Sequence, residues 1–578
     1  MRGLRWWHAP TGTCRDEVGF WLARGAAGVA PCEHAFAAVL RRPGGALIAA
    51  TGVSREVGLF SRIHHRGCDL SPSPRELLAD ADELPELSVP GLIDLVTRTD
   101  ALPDTPFRGV RFHPGGMVLR WRPGDPQVDE TTWAAAAFDR HRPAGGRLRE
   151  RAVPLMREAV ERAVRGSLPA AGLRCAVTLS GGLDSTTVAA LADDALPVGG
   201  ERLLALTHAP RPGTPDPSAT WQADDMPYVR PLLADRPWIE HRVAVLPEAP
   251  PLTLLTECFE RTWLPTLNPD NMPWLLQLAD LAHAGGAAVL LTGASGNAGY
   301  SRGNAGVLAH ELSRGRVDVV VRQVLARQRA GVRGPALARS VVGDLLPGPV
   351  VRRREDRRWD ACRAMVPLRV GAPVSMRGES RFRVYRAMAG LMTNPDWRMT
   401  GWQTLRDDVW CADPLGSLPV VALARALPPA AWSPVGVSRG LAREVMRGLV
   451  PDEIRLRTTR GRQAADAVDR VRGQEPVLLA ALDRFEENPT ITRLLDTAAM
   501  RRALLDGTLA DPTRAPLWTL THARAFGLGA FVEWYEQQRL ARGTVRRAGT
   551  PPTDLGRPSC AVIRSRAGTR AAHLTEDL

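Results

Sequence analysis

The sequence predicts an α/β protein in which a β-rich N-terminal domain precedes a parallel sheet and a helical C-terminal part. Short apolar runs separated by Pro-Gly turns occupy residues 1–140, which is typical of an antiparallel β domain. From Leu173 to Thr292, apolar strand candidates alternate with helix candidates, as in a doubly wound parallel sheet. Beyond residue 300 helical patterns dominate.

Three strands are predicted in the N-terminal domain, beside two Pro-Gly-Gly turns: Ala46–Ala50, Val110–Phe112 and Met117–Trp121. A Pro-, Gly- and Arg-rich linker, residues 142–147, then leads to an amphipathic helix whose apolar stripe runs from Val153 to Val164. The second domain is therefore predicted over residues 148–544. Residues 545–578, rich in Arg, Gly, Pro and Thr, are predicted to be a disordered tail.

Four strands are predicted in the second domain, three of them short apolar runs and the third in chain order a more polar one: Leu173–Leu179, Leu203–Thr207, Ile239–Val245 and Ala287–Thr292. Helices are predicted between them, one directly after Gly182 and others near 223–234 and 271–284. Because ligands bind at the carboxyl ends of parallel strands, the segments after Leu179 and Thr292 are expected to converge on one site.

The most informative segment is the string Ser180-Gly181-Gly182-Leu183-Asp184-Ser185 between the first strand and the following helix. Backbone N–H groups at such a helix N-terminus favour an anion, and glycines let the backbone approach a phosphate closely. Asp184 would repel a bare polyphosphate, so it indicates a Mg²⁺ ion between carboxylate and phosphate. The string lacks the Gly-Lys-Ser/Thr of a Walker A loop. The alternative is a Gly-rich turn with a serine N-cap.

The composition limits the partners that the chain can be expected to have. The formal net charge is +13, but all 75 basic Lys and Arg residues are arginine, which indicates a coding bias, so no nucleic-acid partner is expected. No apolar run approaches the roughly 18 residues that a membrane helix needs, and the N-terminus lacks the apolar core of a secretory signal. A cytoplasmic protein without a membrane partner is therefore expected.

The six-residue string matches the signature SGGxDS of the PP-loop ATP pyrophosphatases. Together with Thr105–Val110, the loop Gly293–Ala298 and the segment Asp407–Asp466, it makes the chain resemble the asparagine synthetase class B family, which includes lasso peptide cyclases and β-lactam synthetases. The resemblance implies an Ntn-hydrolase-like N-terminal domain, a PP-loop domain, and the use of ATP and Mg²⁺. It implies that the nucleotide is bound by Ser180, Gly181, Gly182, Leu183, Asp184, Ser185, Leu206, Gly293 and Asn297.

The chain departs from the family pattern at three places. Glutamine-using members carry cysteine as the second residue, whereas this chain has Arg2, so no glutaminase activity is expected. The family's acidic loop is replaced by one that ends at Asn297, as in lasso peptide cyclases, which leaves Asp184 and Asn297 as the expected metal ligands. The family's lysine is missing, and Arg460 is the predicted catalytic replacement, with Arg457 next. Asp408 is the candidate for the family's catalytic glutamate.

The resemblance implies a lasso peptide macrolactam cyclase. Such an enzyme adenylates a side-chain Asp or Glu carboxylate of a core peptide and closes an isopeptide bond with the peptide's N-terminal amine, releasing AMP and pyrophosphate. Its implied partners are the precursor peptide, a leader-binding protein and a leader protease. The alternatives are a β-lactam synthetase-like or ammonia-dependent asparagine synthetase-like ligase, a tRNA-modifying PP-loop enzyme, and a non-catalytic ATP-binding scaffold.

Overall fold

The structure is a computed structural model, and it describes most of the chain outside one long internal segment and the two ends. The described residues are 4–8, 12–28, 30, 32–33, 35–53, 57–79, 81, 83–97, 105–197, 199–266, 268–303, 307–329, 331–332, 334–345, 406, 408–434, 436–510, 518–547 and 563–564.

The strands of these residues are β1 (Leu4–His8), β2 (Phe36–Arg41), β3 (Leu47–Thr51), β4 (Leu59–His64), β5 (Gly67–Ser71), β6 (Val110–His113), β7 (Met117–Trp121), β8 (Asp129–Thr132), β9 (Arg174–Thr178), β10 (Leu204–His208), β11 (Trp221–Gln222), β12 (Glu240–Ala244), β13 (Ala287–Leu291), β14 (Trp410–Ala412), β15 (Arg460–Gly461) and β16 (Ile563–Arg564).

The α-helices are α1 (Gly12–Ala23), α2 (Pro74–Ala79), α3 (Val89–Thr97), α4 (Ala134–Arg140), α5 (Ala152–Ser167), α6 (Leu183–Ala195), α7 (Met226–Asp235), α8 (Pro251–Thr262), α9 (Met272–Ala284), α10 (Gly296–Gly299), α11 (Val307–Ser313), α12 (Val317–Arg329), α13 (Gly334–Leu345), α14 (Leu418–Ala426), α15 (Gly440–Val445), α16 (Asp452–Arg455), α17 (Ala467–Val471), α18 (Glu475–Glu487), α19 (Pro489–Leu494), α20 (Thr497–Leu505) and α21 (Ala523–Arg547). Among these helices, none combines the length and the apolar character needed to cross a membrane.

The N-terminal part is built from two antiparallel sheets. One has the strand order β1-β2-β3-β7-β8 and the other the order β16-β5-β4-β6. Alternate residues of facing strands, such as Val39, Leu59 and Leu119, belong to one buried apolar cluster, as the period of two along a strand requires. The three strands predicted here correspond to β3, β6 and β7.

The second sheet system is wholly parallel, with the order β12-β10-β9-β13-β14. Numbered along the chain, its strands follow the order 3-2-1-4-5, so the winding reverses between β9 and β13. Ligands of doubly wound sheets bind at this switch point, outside the carboxyl ends of the strands. The mixed α/β class with a parallel sheet is confirmed, and the four strands predicted for this sheet are β9, β10, β12 and β13.

Helices on both sides bury the sheet. Of the apolar stripe predicted between Val153 and Val164, the residues Met156, Val160 and Val164 are buried and pack in one cluster with Val188 of α6. This packing fixes α6, and therefore the loop that precedes it, relative to β9.

Helical and strand structure continues beyond residue 544, where the second domain was predicted to end. Helix α21 continues to Arg547 and the short strand β16 pairs antiparallel with β5, Ile563 opposite Leu70. Residues 548–562 and 565–578 of the predicted tail lie outside the described residues, as do residues 1–3 with Arg2.

Candidate active site

The predicted phosphate loop lies between β9 and α6, at the switch point of the parallel sheet. The Ser185 hydroxyl accepts a hydrogen bond from the backbone N–H of Ser180 at 3.1 Å and lies 2.9 Å from the Ser180 hydroxyl, which closes the loop into a tight turn. Gly181 has φ of +61°, and a Cβ there would lie 2.7 Å from Cβ of Tyr228. Only glycine adopts this conformation at that spacing without strain.

Asp184 occupies the first turn of α6 and is the most informative carboxylate of the site. Asp184 is half-buried, but its Oδ1 is buried and has no hydrogen-bond partner among the described residues. Burial raises the pKa of Asp184 to about 6, against the opposing effects of the Ser301 side chain and the Arg439 guanidinium. A buried carboxylate oxygen without a partner costs free energy, which a bound cation would relieve.

The loop after β13 lies directly over this carboxylate. A Cβ on Gly296 would fall inside van der Waals contact of Asp184 Oδ1, and one on Gly293 would lie 2.9 Å from the backbone N of Ser185. The loops predicted to converge, after β9 and after β13, are therefore in close contact, and glycine at these positions permits the approach.

The described residues fit a Mg²⁺ site that shares its ligands with a nucleotide. They contain no cluster of three or more His, Cys, Asp or Glu side chains that could hold a metal alone. Mg²⁺ is usually held by one or two carboxylates together with substrate phosphates. Asp184 supplies one such carboxylate, with its free Oδ1 beside the loop that would hold the phosphates.

Asp413 is a second buried carboxylate at the site, and sequence reasoning assigned it no role. It directly follows β14, and its Oδ2 accepts a hydrogen bond from the backbone N–H of Ser295 at 2.5 Å, while its Oδ1 accepts one from Leu415 N–H at 3.1 Å. Burial raises the pKa of Asp413, and the charge of Asp184 raises it further. No clear sequence signal marked it, because the strand before it has only three residues.

Asn297, predicted as a metal ligand, is placed differently. Its Oδ1 accepts a hydrogen bond from Arg439 Nη2 at 2.6 Å, so this oxygen contacts a guanidinium. Burial lowers the pKa of Arg439, and the nearby charge of Arg460 lowers it further. Asp184 and Arg439 attract each other across the site. The geometry therefore supports Asp184 as a metal ligand and gives Asn297 the role of holding Arg439.

Arg457 is an anchor behind the phosphate loop. Its guanidinium is nearly inaccessible and donates to the Gly181 carbonyl at 3.4 Å and to Asp225 Oδ1 at 2.7 Å, and it lies 3.8 Å from the centroid of the Tyr228 ring. Further hydrogen bonds join it to Gln222 and Thr459. Because these partners occupy its donors, Arg457 is a poor candidate for binding a phosphate group.

Arg460 has the opposite character. Its side chain is exposed at the cavity, and no hydrogen bond from its guanidinium occurs within the described part of the chain. The charge of Arg460 lowers the pKa of Arg439, which shows that the two guanidinium groups lie near each other. Both groups have N–H donors that are not used in hydrogen bonds among the described residues. An anion between them would satisfy both, which supports the predicted choice of Arg460 over Arg457.

One cavity of about 650 Å³ lies at the carboxyl ends of β9, β10 and β13, and it is lined by Asp184, Asn297 and the three arginines Arg439, Arg457 and Arg460; Asp413 lies outside its lining. The volume lies in the range of small-molecule sites. All nine residues predicted to bind the nucleotide line it: Ser180, Gly181, Gly182, Leu183, Asp184, Ser185, Leu206, Gly293 and Asn297. On the β10 side the cavity wall includes His208, which stacks on Trp274 with ring centroids 5.1 Å apart. Burial lowers the pKa of His208 to about 4, so this imidazole is uncharged at neutral pH.

Asp408, predicted as catalytic, does not line this cavity. It precedes β14, whereas the cavity lies beyond the carboxyl end of that parallel strand. Its carboxylate is half exposed and pairs with His283 Nδ1 at 2.5 Å and Arg406 Nε at 3.3 Å. The geometry gives no support to a catalytic role for Asp408, because strand direction places it at the opposite edge of the sheet.

Comparison with known proteins identifies the family of the chain. The family model described as asparagine synthase matches residues 155–536, from α5 to α21. No curated protein matches the chain. The family match supports an ATP-dependent ligase and the use of ATP with Mg²⁺. Since the matched region covers well over half of the chain and contains the whole cavity, the protein belongs to the asparagine synthase family.

Proposed function

We propose that this protein is an AMP-forming amide ligase that closes a lasso peptide by joining a side-chain carboxylate to the peptide's N-terminal amine. The observation that carries the ATP-dependent half is the partnerless, buried Oδ1 of Asp184 beneath the Gly293–Gly296 loop and beside the Ser180–Ser185 loop. The peptide-closing half rests on the resemblance to lasso peptide cyclases, through Asn297 and the replacement of the family lysine.

In this proposal the Ser180–Ser185 loop binds the polyphosphate of ATP. The N-terminus of α6 supplies backbone N–H groups and a favourable dipole, and the paired hydroxyls of Ser180 and Ser185 lie in the same turn. Leu206 and the uncharged wall around His208 provide the apolar surface beyond the phosphates.

Asp184 would hold Mg²⁺ through its free Oδ1. When bound, the cation would offset the phosphate charge that the carboxylate otherwise repels. Asp413 holds the backbone of Ser295, which keeps Gly296 over Asp184. Arg439 and Arg460 line the same cavity near each other, and their two guanidiniums would offset the charge of the departing pyrophosphate.

The reaction consists of two displacements. A carboxylate oxygen of the peptide attacks the α-phosphorus of ATP, the bond from that phosphorus to the bridging oxygen breaks, and pyrophosphate leaves. The peptide's terminal amine then attacks the acyl carbon, the bond from that carbon to AMP breaks, and the amine loses a proton to water. Holding amine and adenylate together makes the second step effectively unimolecular. Arginine stays protonated at neutral pH, so Arg460 assists by charge rather than by donating a proton.

We further propose that the protein lacks glutaminase activity. Arg2 stands where glutamine-using members carry the cysteine nucleophile. Ammonia release from glutamine by the purified protein would contradict this part of the proposal.

The proposal is tested by product analysis of three incubations. The full chain is incubated with ATP and Mg²⁺ alone, with tRNA, and with a linear core peptide, together with the matching leader-binding protein and protease. We expect AMP and pyrophosphate in equal amounts only with the peptide. Release with tRNA, or of ADP and phosphate, would contradict the proposal.

A further inference from the structure

Trp221 is a large aromatic side chain at the mouth of the cavity, and neither the family match nor the mechanism above gives it a role. Its side chain is 39% exposed although it lines the cavity together with the phosphate loop. An indole beside a cation can offer it the face of the ring, so the neighbours of Trp221 decide what it can do.

The neighbour that Trp221 contacts is Arg460. Cζ of Arg460 lies 5.6 Å from the centroid of the Trp221 ring, within the range of a cation–π interaction. The two residues also face each other in the register of the parallel strands β11 and β15. The register therefore places the two side chains next to each other.

The backbone around this pair is well anchored. Arg460 N–H donates to the Thr220 carbonyl at 3.0 Å, and Arg462 N–H donates to the Gln222 carbonyl at 2.9 Å. The Arg457 guanidinium donates hydrogen bonds both to the Gln222 side chain and to the Gly181 carbonyl of the phosphate loop. The strand pair and the phosphate loop are thus connected through Arg457, so the backbone at Trp221 is held relative to the phosphate loop.

The Arg460 side chain would otherwise be free to move. Its guanidinium makes no hydrogen bond within the described ranges, and an unrestrained arginine loses much rotamer freedom when it binds an anion. A ring surface that already holds the guanidinium reduces this cost. It also leaves the five N–H donors, which lie in the plane of the group, available to phosphate oxygens.

We propose that Trp221 is the positioning residue that holds Arg460 for binding of pyrophosphate at the cavity mouth. The inference rests on the proposed function, because it takes the anion at Arg460 to be the pyrophosphate released from ATP. It assigns to this chain a tryptophan–arginine pair in place of the family's lysine.

The test is calorimetric binding of pyrophosphate in the presence of Mg²⁺, with the full chain and without peptide. We expect Trp221→Ala to weaken pyrophosphate binding about three- to tenfold, the scale of an oriented cation–π contact. Trp221→Phe should keep most of the affinity, because a phenyl ring retains the π-face. Arg460→Ala should weaken binding about tenfold or more, and Trp221→Ala/Arg460→Ala no further than Arg460→Ala alone.

Two controls separate positioning from general damage. AMP lacks the pyrophosphate, so its affinity should be unchanged in Trp221→Ala. Trp238→Ala removes another exposed indole, one that donates to Asp193 outside the cavity, and should bind pyrophosphate as the wild type does. Unchanged pyrophosphate affinity in Trp221→Ala, an equal loss for AMP, or additive effects in the double variant would overturn the inference alone. Absence of Mg²⁺-dependent pyrophosphate binding to the wild type would overturn the proposed function as well.

Discussion

Asp413 accepts a hydrogen bond from the backbone N–H of Ser295 at 2.5 Å, and this bond joins the ends of two neighbouring parallel strands. Ser295 belongs to the loop after β13, and Asp413 follows β14 directly. The bond therefore fixes the segment that carries Gly296 over the Asp184 carboxylate. The surroundings of the Asp184 carboxylate therefore depend on a residue that lies more than a hundred positions further along the chain.

Removing this bond should loosen the site without deleting any group that contacts ATP. In Asp413→Asn, one of the two backbone donors would meet an amide NH₂ instead of an oxygen. A hydrogen bond to a charged group contributes about 1.5–3 kcal/mol, so we expect a lower melting temperature and a higher KM for ATP. A KM equal to that of the wild type would show that the loop does not need this support.

Gly296 offers a more local test of the same contact. We expect Gly296→Ala to lower pyrophosphate release by about ten- to a hundredfold, because its Cβ would collide with Asp184 Oδ1 and displace the carboxylate. Gly299→Ala is the matched control: it lies on the same short helix, and its Cβ would meet its nearest neighbour at an ordinary 3.6 Å. Equal loss in both variants would point to helix damage rather than to the carboxylate.

Asp184 itself should be indispensable for ATP cleavage. We expect Asp184→Ala to reduce pyrophosphate release about a hundredfold or more, the scale on which a single electrostatic group acts in such sites. Asp235→Ala, which removes a half-exposed aspartate of α7 outside the cavity, should leave the rate unchanged. Activity of Asp184→Ala at the wild-type level would refute the assignment of the ATP site.

Arg460 should act by charge. We expect Arg460→Lys to retain part of the pyrophosphate release, because a cation remains, and Arg460→Ala to lose most of it. Arg322→Ala, at an exposed site on α12 outside the cavity, is the control. Equal rates for the alanine and lysine variants of Arg460 would argue against electrostatic assistance from this position.

The raised pKa of Asp184 makes a prediction about pH and stability without divalent cations. Burial raises its pKa from the ordinary value near 4 to about 6 in the folded chain, so the folded state holds the proton more tightly. Stability contributed by the protonated form is therefore complete at low pH and is lost as the pH rises from about 4 to about 6. The melting temperature of the wild type relative to Asp184→Asn should fall over this window and level off above it. A difference that does not change with pH would contradict the burial of this carboxylate.

The sequence predicted well the strands that position the site, and it predicted poorly the polar contacts within the site. The four strand candidates became β9, β10, β12 and β13, since three of them are nearly continuous apolar runs, which is typical of parallel strands buried on both faces. Strand β14 was missed because three residues, Trp410–Ala412, are too few to show a pattern. Because this strand was not predicted, the sequence did not show that Asp413 lies at the site and that Asp408 lies away from it.

The roles of the arginines depended on tertiary contacts in the same way. Nothing in the local sequence distinguishes Arg457, which is bound to Gly181 and Asp225, from Arg460, which is exposed. Arg439 and Asn297 lie far apart in the chain, so their hydrogen bond could not be predicted from the local sequence. In this bond Asn297 Oδ1, which the local motif suggested as a metal ligand, accepts from a guanidinium instead.

The mass of the peptide product, measured after incubation with ATP, Mg²⁺, the full chain and the matching leader-binding protein and protease, tests the central claim most directly. The proposal expects a core peptide that has lost one water, resists exopeptidase, and forms in the same amount as AMP. A linear peptide of unchanged mass, with the wild type as with Asp184→Ala, would contradict it.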